Sequence, residues 1–311
     1  MHLSFVYWSL FLVSYLEDGA FSCRGSVQRL PNALVEALQR DGGELLLRSR
    51  VRRILVYDRQ VQGVMLENGE RIGAPVVISN ADVTETIEEL VGAEQFPRGY
   101  VSHIRRMKPS LSAFVAYLAT DLDLRQFEVT QEVFAYLSWD EEETYRTILA
   151  GKLGAFVMSI PTLIDPSLAP PGEHLVAVLA PIPYEVGSSW RQEKAEYLEL
   201  LTNSVETVFP GLHDRLTFVE GGSPRTLERY TLNLTGAMYG WELSPEQVGR
   251  GRHVEHRTPI EGLLLSGHWT QPGAGIPAVV MSGLQTAQLL LGYATLGDFL
   301  QSWNLSDLAS L

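Results

Sequence analysis

The stretch from Gly262 to Gly283 constrains this chain more than any other. It opens with a short apolar strand, Gly262 to Ser266, continues through a loop from Gly267 to Gly275, and enters a helix over Pro277 to Leu291. A strand without polar alternation is buried on both faces, as in a parallel sheet. Proline at the start of the helix costs little, because the N–H it lacks would have no helical partner there. The loop therefore sits at the carboxyl end of a buried strand, where open α/β sheets bind ligands. Gly273 and Gly275 allow backbone to approach a ligand closely. The helix start offers free N–H groups and a partial positive charge, which suit an anion or an electron-rich ring edge. Gly273-x-Gly275-x-x-Ala278 also imitates the dinucleotide fingerprint. The literal reading fails, since that fingerprint needs a second strand after the helix and an acidic residue about 20 positions on. A plain strand-to-helix turn is the alternative for this segment alone.

The rest of the chain divides by texture. Val27 to Arg40 carries apolar residues near a 3.6 period and predicts a helix closed by Gly42-Gly43. Glu44 to Leu47, Val51 to Tyr57 and Val61 to Glu67 read as strands, with turns at Asp58 to Gln60 and Asn68-Gly69. Val76 to Ser79 is a β-branched run without alternation, so a strand of a parallel sheet is expected, followed by a helix from Val83 to Val91. The middle predicts strands at Ser110 to Ala119, Gln131 to Ser138, Ala155 to Ile160, His174 to Leu179 and Leu216 to Glu220, and a long helix over Trp190 to Phe209. The fold class expected is a mixed α/β chain in which a sheet domain is interrupted by an inserted mixed-sheet domain. Residues 1–91 and 241–311 would form the first, and 92–240 the second.

Charge excludes one class of partner. The net charge is −13 over 311 residues, and no basic run is longer than pairs such as Arg52-Arg53 and Arg105-Arg106, so a nucleic-acid backbone is not a partner. Cys23 is the only cysteine, which fits a reducing, cytoplasmic setting, and no Cys/His spacing predicts a metal site. Ser4 to Leu16 is apolar but shorter than the roughly 20 residues a membrane span takes. No Lys or Arg precedes it, so a secretory leader is disfavoured, and a buried helix, or a helix whose packing partner is missing, is expected instead.

Three separated segments carry a family resemblance. The first is Arg24-Gly25-Ser26, then Gly42-Gly43-Glu44 and Arg50-Val51 to Ile54, ending in Val77-Ile78-Ser79-Asn80-Ala81-Asp82. The second is Ser223-Pro224-Arg225-Thr226, Arg229-Tyr230 and Gly236-Ala237-Met238-Tyr239-Gly240. The third is Gly267 to Gly283. In order and spacing the chain resembles the carboxyl-terminal part of the phytoene desaturase, carotenoid isomerase and retinol saturase group of FAD-dependent, amine-oxidase-like flavoproteins. The resemblance implies a partial FAD-binding domain with an inserted substrate domain that walls an apolar tunnel for a polyene or similar lipid.

The resemblance also assigns positions. Val51 matches a strand residue near the adenine, and Gly267 and His268 match a Gly-acid pair near the ribityl and pyrophosphate. Gly275 belongs to the same loop, and Ile276, Pro277, Ala278 and Val279 match the helix start at the flavin pyrimidine edge. Arg24, Gly25 and Ser26, with Tyr230 and Tyr239, match segments bordering the flavin cavity and substrate channel. His268 departs from the usual acid. No strand followed by G-x-G-x-x-G opens the chain, so the dinucleotide-binding βαβ unit is expected to be missing and to come from an amino-terminal half in trans. Peripheral membrane contact is expected through Ser4 to Leu16. Asp82, Glu228, Arg229 and Tyr230 are acid–base candidates by neighbourhood only, and no catalytic residue is assigned. The competing expectation is a non-catalytic fragment that binds a lipid or a partner.

Overall fold

The computed structural model describes residues 3–17, 19, 21–187, 189–249 and 253–303, without the side chain of residue 11. The helices are α1 (Phe5–Glu17), α2 (Arg29–Arg40), α3 (Val83–Glu85), α4 (Arg98–Arg106), α5 (Glu141–Leu149), α6 (Trp190–Glu206), α7 (Pro224–Thr231), α8 (Ile276–Leu290) and α9 (Leu296–Gln301). The strands are β1 (Val51–Tyr57), β2 (Gln60–Leu66), β3 (Arg71–Gly73), β4 (Val77–Ser79), β5 (Ser112–Thr120), β6 (Glu132–Tyr136), β7 (Ala155–Ser159), β8 (His174–Ile182), β9 (Leu216–Gly222) and β10 (Leu263–Leu265).

The chain forms two compact units. One holds Phe5–Leu47 and Leu111–Met238; the other holds Arg48–Ser110 and Tyr239–Leu311, with residues 2–4. Residues 5–47 thus pack with the middle of the chain, where the sequence reading grouped residues 1–91 with the carboxyl-terminal segment. Two hydrogen bonds show how they are tied: the Gly25 N–H donates to the Asp165 carboxylate at 2.7 Å, and the Gln131 amide donates to Ser22 Oγ at 2.8 Å.

The first unit is built on a five-stranded antiparallel sheet in the order β6-β7-β8-β5-β9. β8 alternates buried and half-buried positions along its whole length, so one face is a core face and the other is not. Phe114, Phe156, Met158, Val176 and Val178 point into that core, and α6 covers them with Trp190, Tyr197, Leu201 and Val205. The rings of Phe114, Trp190 and Tyr197 lie 4.9–5.8 Å apart, tilted or edge-on, as ring quadrupoles favour. Each fully buried Leu or Val contributes about 1.5–3 kcal/mol. Ser189 caps α6 by accepting from the Arg191 N–H at 3.2 Å.

The second unit carries two sheets. β1, β2 and β3 form an antiparallel meander. Asp58 and Arg59 both take left-handed backbone in a tight two-residue hairpin, and Asn68-Gly69 makes the next turn with Leu66 N–H donating to Glu70 O at 2.9 Å. β4 and β10 pair in parallel, Val77 with Leu263 through Ser79 with Leu265. Asp82 ends β4 and starts the next helix by accepting from the Thr84 N–H at 2.7 Å. The helix continues past α3 in π-form from Thr86 to Gly92.

Two expectations are corrected. Glu44 to Leu47 forms no strand: Leu45, Leu46 and Leu47 are exposed and no sheet includes them. α1 is not a packed core helix, since Phe5, Leu10 and Leu16 are all more than 60% exposed. Among the described residues no helix is long and apolar enough to cross a membrane.

His253 makes the second unit acid-sensitive. Its ring is buried, and burial, with a smaller contribution from His256, pushes its pKa down to about 4. The unfolded chain takes up this proton near pH 6.5, while the folded chain waits until about pH 4. Stability present above pH 6.5 is therefore lost as pH falls towards 4, by at most about 1.4 kcal/mol per pH unit. Urea titrations at pH 7.5 and pH 4.5 should show this loss, and His253→Gln should flatten it. An unchanged slope in that variant would assign the acid sensitivity elsewhere.

Candidate functional site

The Gly267 loop is held from below by polar side chains on α8. The Gly267 N–H donates to Ser282 Oγ at 2.8 Å, Thr270 Oγ1 donates to Gly267 O at 2.9 Å, and Thr270 Oγ1 meets Ser282 Oγ at 2.9 Å. One turn along, Thr286 Oγ1 donates to Ser282 O at 2.8 Å. His256 bridges the strand and the helix, with Nδ1 3.0 Å from Leu265 O and Nε2 3.0 Å from Gln285 Oε1. The inward face of an otherwise apolar helix is thus polar, because a buried loop needs hydrogen-bond partners for its backbone. Sequence reasoning missed Ser282, Thr286 and Thr270. The signal was there: Ser282 and Thr286 stand four apart on a helix of Ile, Val, Leu and Ala.

Two contacts fix the shape of the loop. Gly267 has φ +95, and a Cβ there would collide with Asn80 Oδ1 at the end of β4. Gly240 has φ +69, and a Cβ there would come within 2.7 Å of His268 Cδ2 and His268 O. The Gly236–Gly240 motif therefore ends by touching the loop. Trp269 is buried edge-on to Trp241, with ring centroids 4.7 Å apart, and Trp241 Nε1 donates to Trp269 O at 3.0 Å.

The open side of the loop is bare backbone. Gly275 has φ +99, and a Cβ there would meet nothing within 4 Å. No side chain caps α8; Pro277 carries no N–H and the Val279 N–H donates to Gly275 O at 2.9 Å, so the open backbone donors of its first turn are those of Ile276 and Ala278. Gly267 to Val279 contains no Asp, Glu, Lys or Arg, and burial holds the His268 imidazole below its ordinary pKa. An uncharged cradle at a helix dipole fits an electron-rich heteroaromatic edge such as the pyrimidine side of a flavin.

The other sequence-derived positions fall in separate places. Val51 begins β1 and is half-buried in the same unit as the loop. Tyr239 also belongs to that unit and is 46% exposed. Arg24 and Ser26 lie in the other unit and line a cleft of about 570 Å³ with Val27, Ile164, Asp165 and Leu175. Tyr230 belongs to that unit as well, stands outside the cleft lining and is exposed. Asp82 is buried as a helix cap, Glu228 accepts a short hydrogen bond from the Tyr184 hydroxyl, and the Arg229 guanidinium lies 5.8 Å from the Tyr230 ring centre. Among the described residues no cluster of His, Cys, Asp or Glu could hold a metal ion.

Comparison with known proteins gives a consistent picture. Residues 1–291 match the flavin containing amine oxidoreductase family. A phytoene desaturase (neurosporene-forming) of Rhodobacter capsulatus is 29% identical over 292 residues, covering 90% of this chain and 55% of the relative. A chloroplastic prolycopene isomerase 2 of an Oncidium hybrid cultivar is 31% identical over 271 residues, covering 85% and 45%. A solved oxidoreductase from Methanosarcina mazei superposes with a TM-score of 0.58 at 18% identity, over 85% of this chain and 55% of that one. The chain spans about half the length of the curated relatives it matches.

Proposed function

The chain belongs to the flavin-containing amine oxidoreductase family, and on that premise we propose that it supplies the flavin-edge wall of an FAD-dependent oxidoreductase acting on a polyene or other long apolar lipid. The flavin-containing family indicates FAD as the cofactor. One observation carries the reading: the uncharged loop at Gly275, open above its backbone and aimed by the bare start of α8. The names of two relatives, a phytoene desaturase and a prolycopene isomerase, support a polyene as substrate.

Bound FAD supplies the two-electron chemistry; the protein supplies orientation, dryness and electrostatics. Backbone N–H groups of the first turn of α8 stabilise negative charge at the ring edge they face. The neutral His268 ring serves as a hydrogen-bond partner for a ribityl hydroxyl, where relatives with an acid would place a charge. Val51 and Gly267 contribute backbone surface on the nucleotide side. Ile276 and Ala278 to Val280 exclude water from the edge. The cleft at Arg24 and Ser26, lined largely by apolar side chains, receives part of the substrate. The pyrophosphate is held by a dinucleotide-binding half outside these residues, and exposed α1 touches the membrane surface in which such a substrate dissolves.

Flavin retention tests the reading. The 311-residue chain is equilibrated with FAD, alone and with the segment of the Rhodobacter capsulatus relative outside the matched stretch, then gel-filtered. Flavin absorbance should travel with the protein in the mixed sample, and weakly or not at all with the chain alone. A colourless protein in both samples favours the non-catalytic fragment instead.

A further inference from the structure

The cleft in the first unit has walls from separate parts of the chain. The turn from Ser22 to Val27 forms one wall and the turns from Pro161 to Leu168 another, and Ser159 and Leu175 join them from β7 and β8. Its volume of about 570 Å³ lies within the range of about 300–1,000 Å³ usual for small-molecule sites. The two turns are tied to each other, since the Gly25 N–H donates to Asp165 Oδ2 at 2.7 Å. Val27 and Ile164, one on each wall, are 57% and 63% exposed, so apolar surface faces water inside the cleft. That surface suits an apolar chain.

Arg24 lines the same cleft and is exposed. Among the described residues its guanidinium makes no hydrogen bond and no ion pair. Asp165 lies near it but is already satisfied. Oδ2 holds the Gly25 N–H, and Oδ1 accepts from the Ser167 N–H at 3.2 Å and the Ser167 hydroxyl at 2.5 Å. These bonds, the Ser167 hydroxyl first, hold the Asp165 carboxyl below its ordinary pKa, and Arg24 adds the smallest part. Ser22 and Gln131, also in the lining, bond each other at 2.8 and 3.1 Å. The N–H donors of Arg24 are therefore left for a ligand. The turn that presents them is strained: Ser26 takes φ +89, backbone that favours glycine, and its N–H donates to Cys23 O at 3.2 Å. Such conformations persist only where the surroundings impose them, and they cluster at ligand clamps.

We infer that this cleft reads the end of its ligand: Arg24 donates to an uncharged oxygen, carbonyl or hydroxyl, at the end of a molecule whose apolar body lies on Val27, Ile164, Leu168 and Leu175. A guanidinium only donates, so the ligand atom it holds is an acceptor. Asp165 sets a fixed negative charge beside Arg24, which repels a carboxylate or phosphate and leaves a neutral oxygen unpenalised. The net charge of −13 acts in the same direction. A hydrocarbon end seated there would strip water from the guanidinium and give nothing back. The inference rests on the reading of the cleft as a substrate site, and it narrows that substrate to a long apolar molecule with an oxygenated end.

Cys23 reports occupancy, because it is the only cysteine and stands half-buried in the same lining. The full chain, without flavin, is treated with iodoacetamide at rising concentrations of decan-1-ol or decanoate, and slowing of Cys23 alkylation gives a Kd for each. Decanol should protect Cys23, and decanoate should bind no tighter. Arg24→Met keeps an apolar stem and should weaken decanol about tenfold at an unchanged melting temperature. Arg24→Lys keeps a cationic donor and should fall between. Each Kd is read from rates with and without ligand in the same variant, so a change in the thiol's own reactivity cancels. Decanol equally tight with and without the guanidinium, or decanoate tighter than decanol, overturns the inference and keeps the cleft as an apolar substrate site. Protection by neither overturns this inference together with the cleft's place in the proposed function, while flavin retention tests the rest of that reading separately.

Discussion

Gly267→Ala is expected to be the most damaging single-methyl change in the loop from Gly267 to Gly275. The backbone there has φ +95, where any L-residue is strained by roughly 1–3 kcal/mol. The added Cβ also collides with Asn80 Oδ1, so the Asn80 side chain must turn away from its place at the end of β4. The loop cannot yield on its other side, because its N–H is fixed to Ser282 Oγ. Together these should lower unfolding free energy by about 2–4 kcal/mol and displace the cradle at Gly275. Urea denaturation gives the number. Adding Asn80→Gly should restore the collision part and leave the backbone part. An alanine variant within about 0.5 kcal/mol of the parent would mean the loop is soft and not a preformed wall.

Trp269→Ala should cost about 3–5 kcal/mol, as for other buried aromatic truncations. Its ring is 1% exposed and fills the space under the loop beside Trp241. The hydrogen bond from Trp241 Nε1 goes to the Trp269 backbone and survives the substitution, so that bond is not part of the loss. Trp269→Phe keeps an aromatic ring and should lose much less. A double cycle with Trp241→Phe should show a coupling of about 0.5–1.5 kcal/mol for the edge-on pair. Additive effects would show that the two rings do not depend on each other.

The local features of this fold were legible because each had a physical signature in a few adjacent residues. The β-branched run Val76 to Ser79 read as a strand of a parallel sheet buried on both faces; Val77–Ser79 does pair in parallel with β10, but Ile78 is 46% exposed, so the strand is not buried on both faces. Asn68-Gly69 and Asp58 to Gln60 read as hairpin turns and are. Trp190 to Phe209 read as a long helix, and α6 covers most of it. Misreadings came where partners decide the outcome. Glu44 to Leu47 has strand-like apolar residues but joins no sheet among the described residues. The apolar run in α1 suggested burial, and the helix turned out exposed because no surface in its unit covers it. Within the site, glycines and the helix start were visible in the sequence. The Ser282–Thr270–Gly267 brace and the Trp241–Trp269 contact were not, since each joins side chains from elements that only tertiary folding brings together.

The pairing of β4 with β10 has a consequence for how the protein is made. β4 leaves the ribosome long before residue 263, and synthesis at about 5–20 residues per second puts roughly ten to forty seconds between the two strands. During that interval β4 has no partner, while every strand of the five-stranded sheet, from 112 to 222, has already emerged. The inserted unit can therefore complete its core first, and the site closes last, on arrival of the segment that carries its loop. A nascent chain halted before residue 263 would carry every strand of the five-stranded sheet and a β4 still without its partner strand.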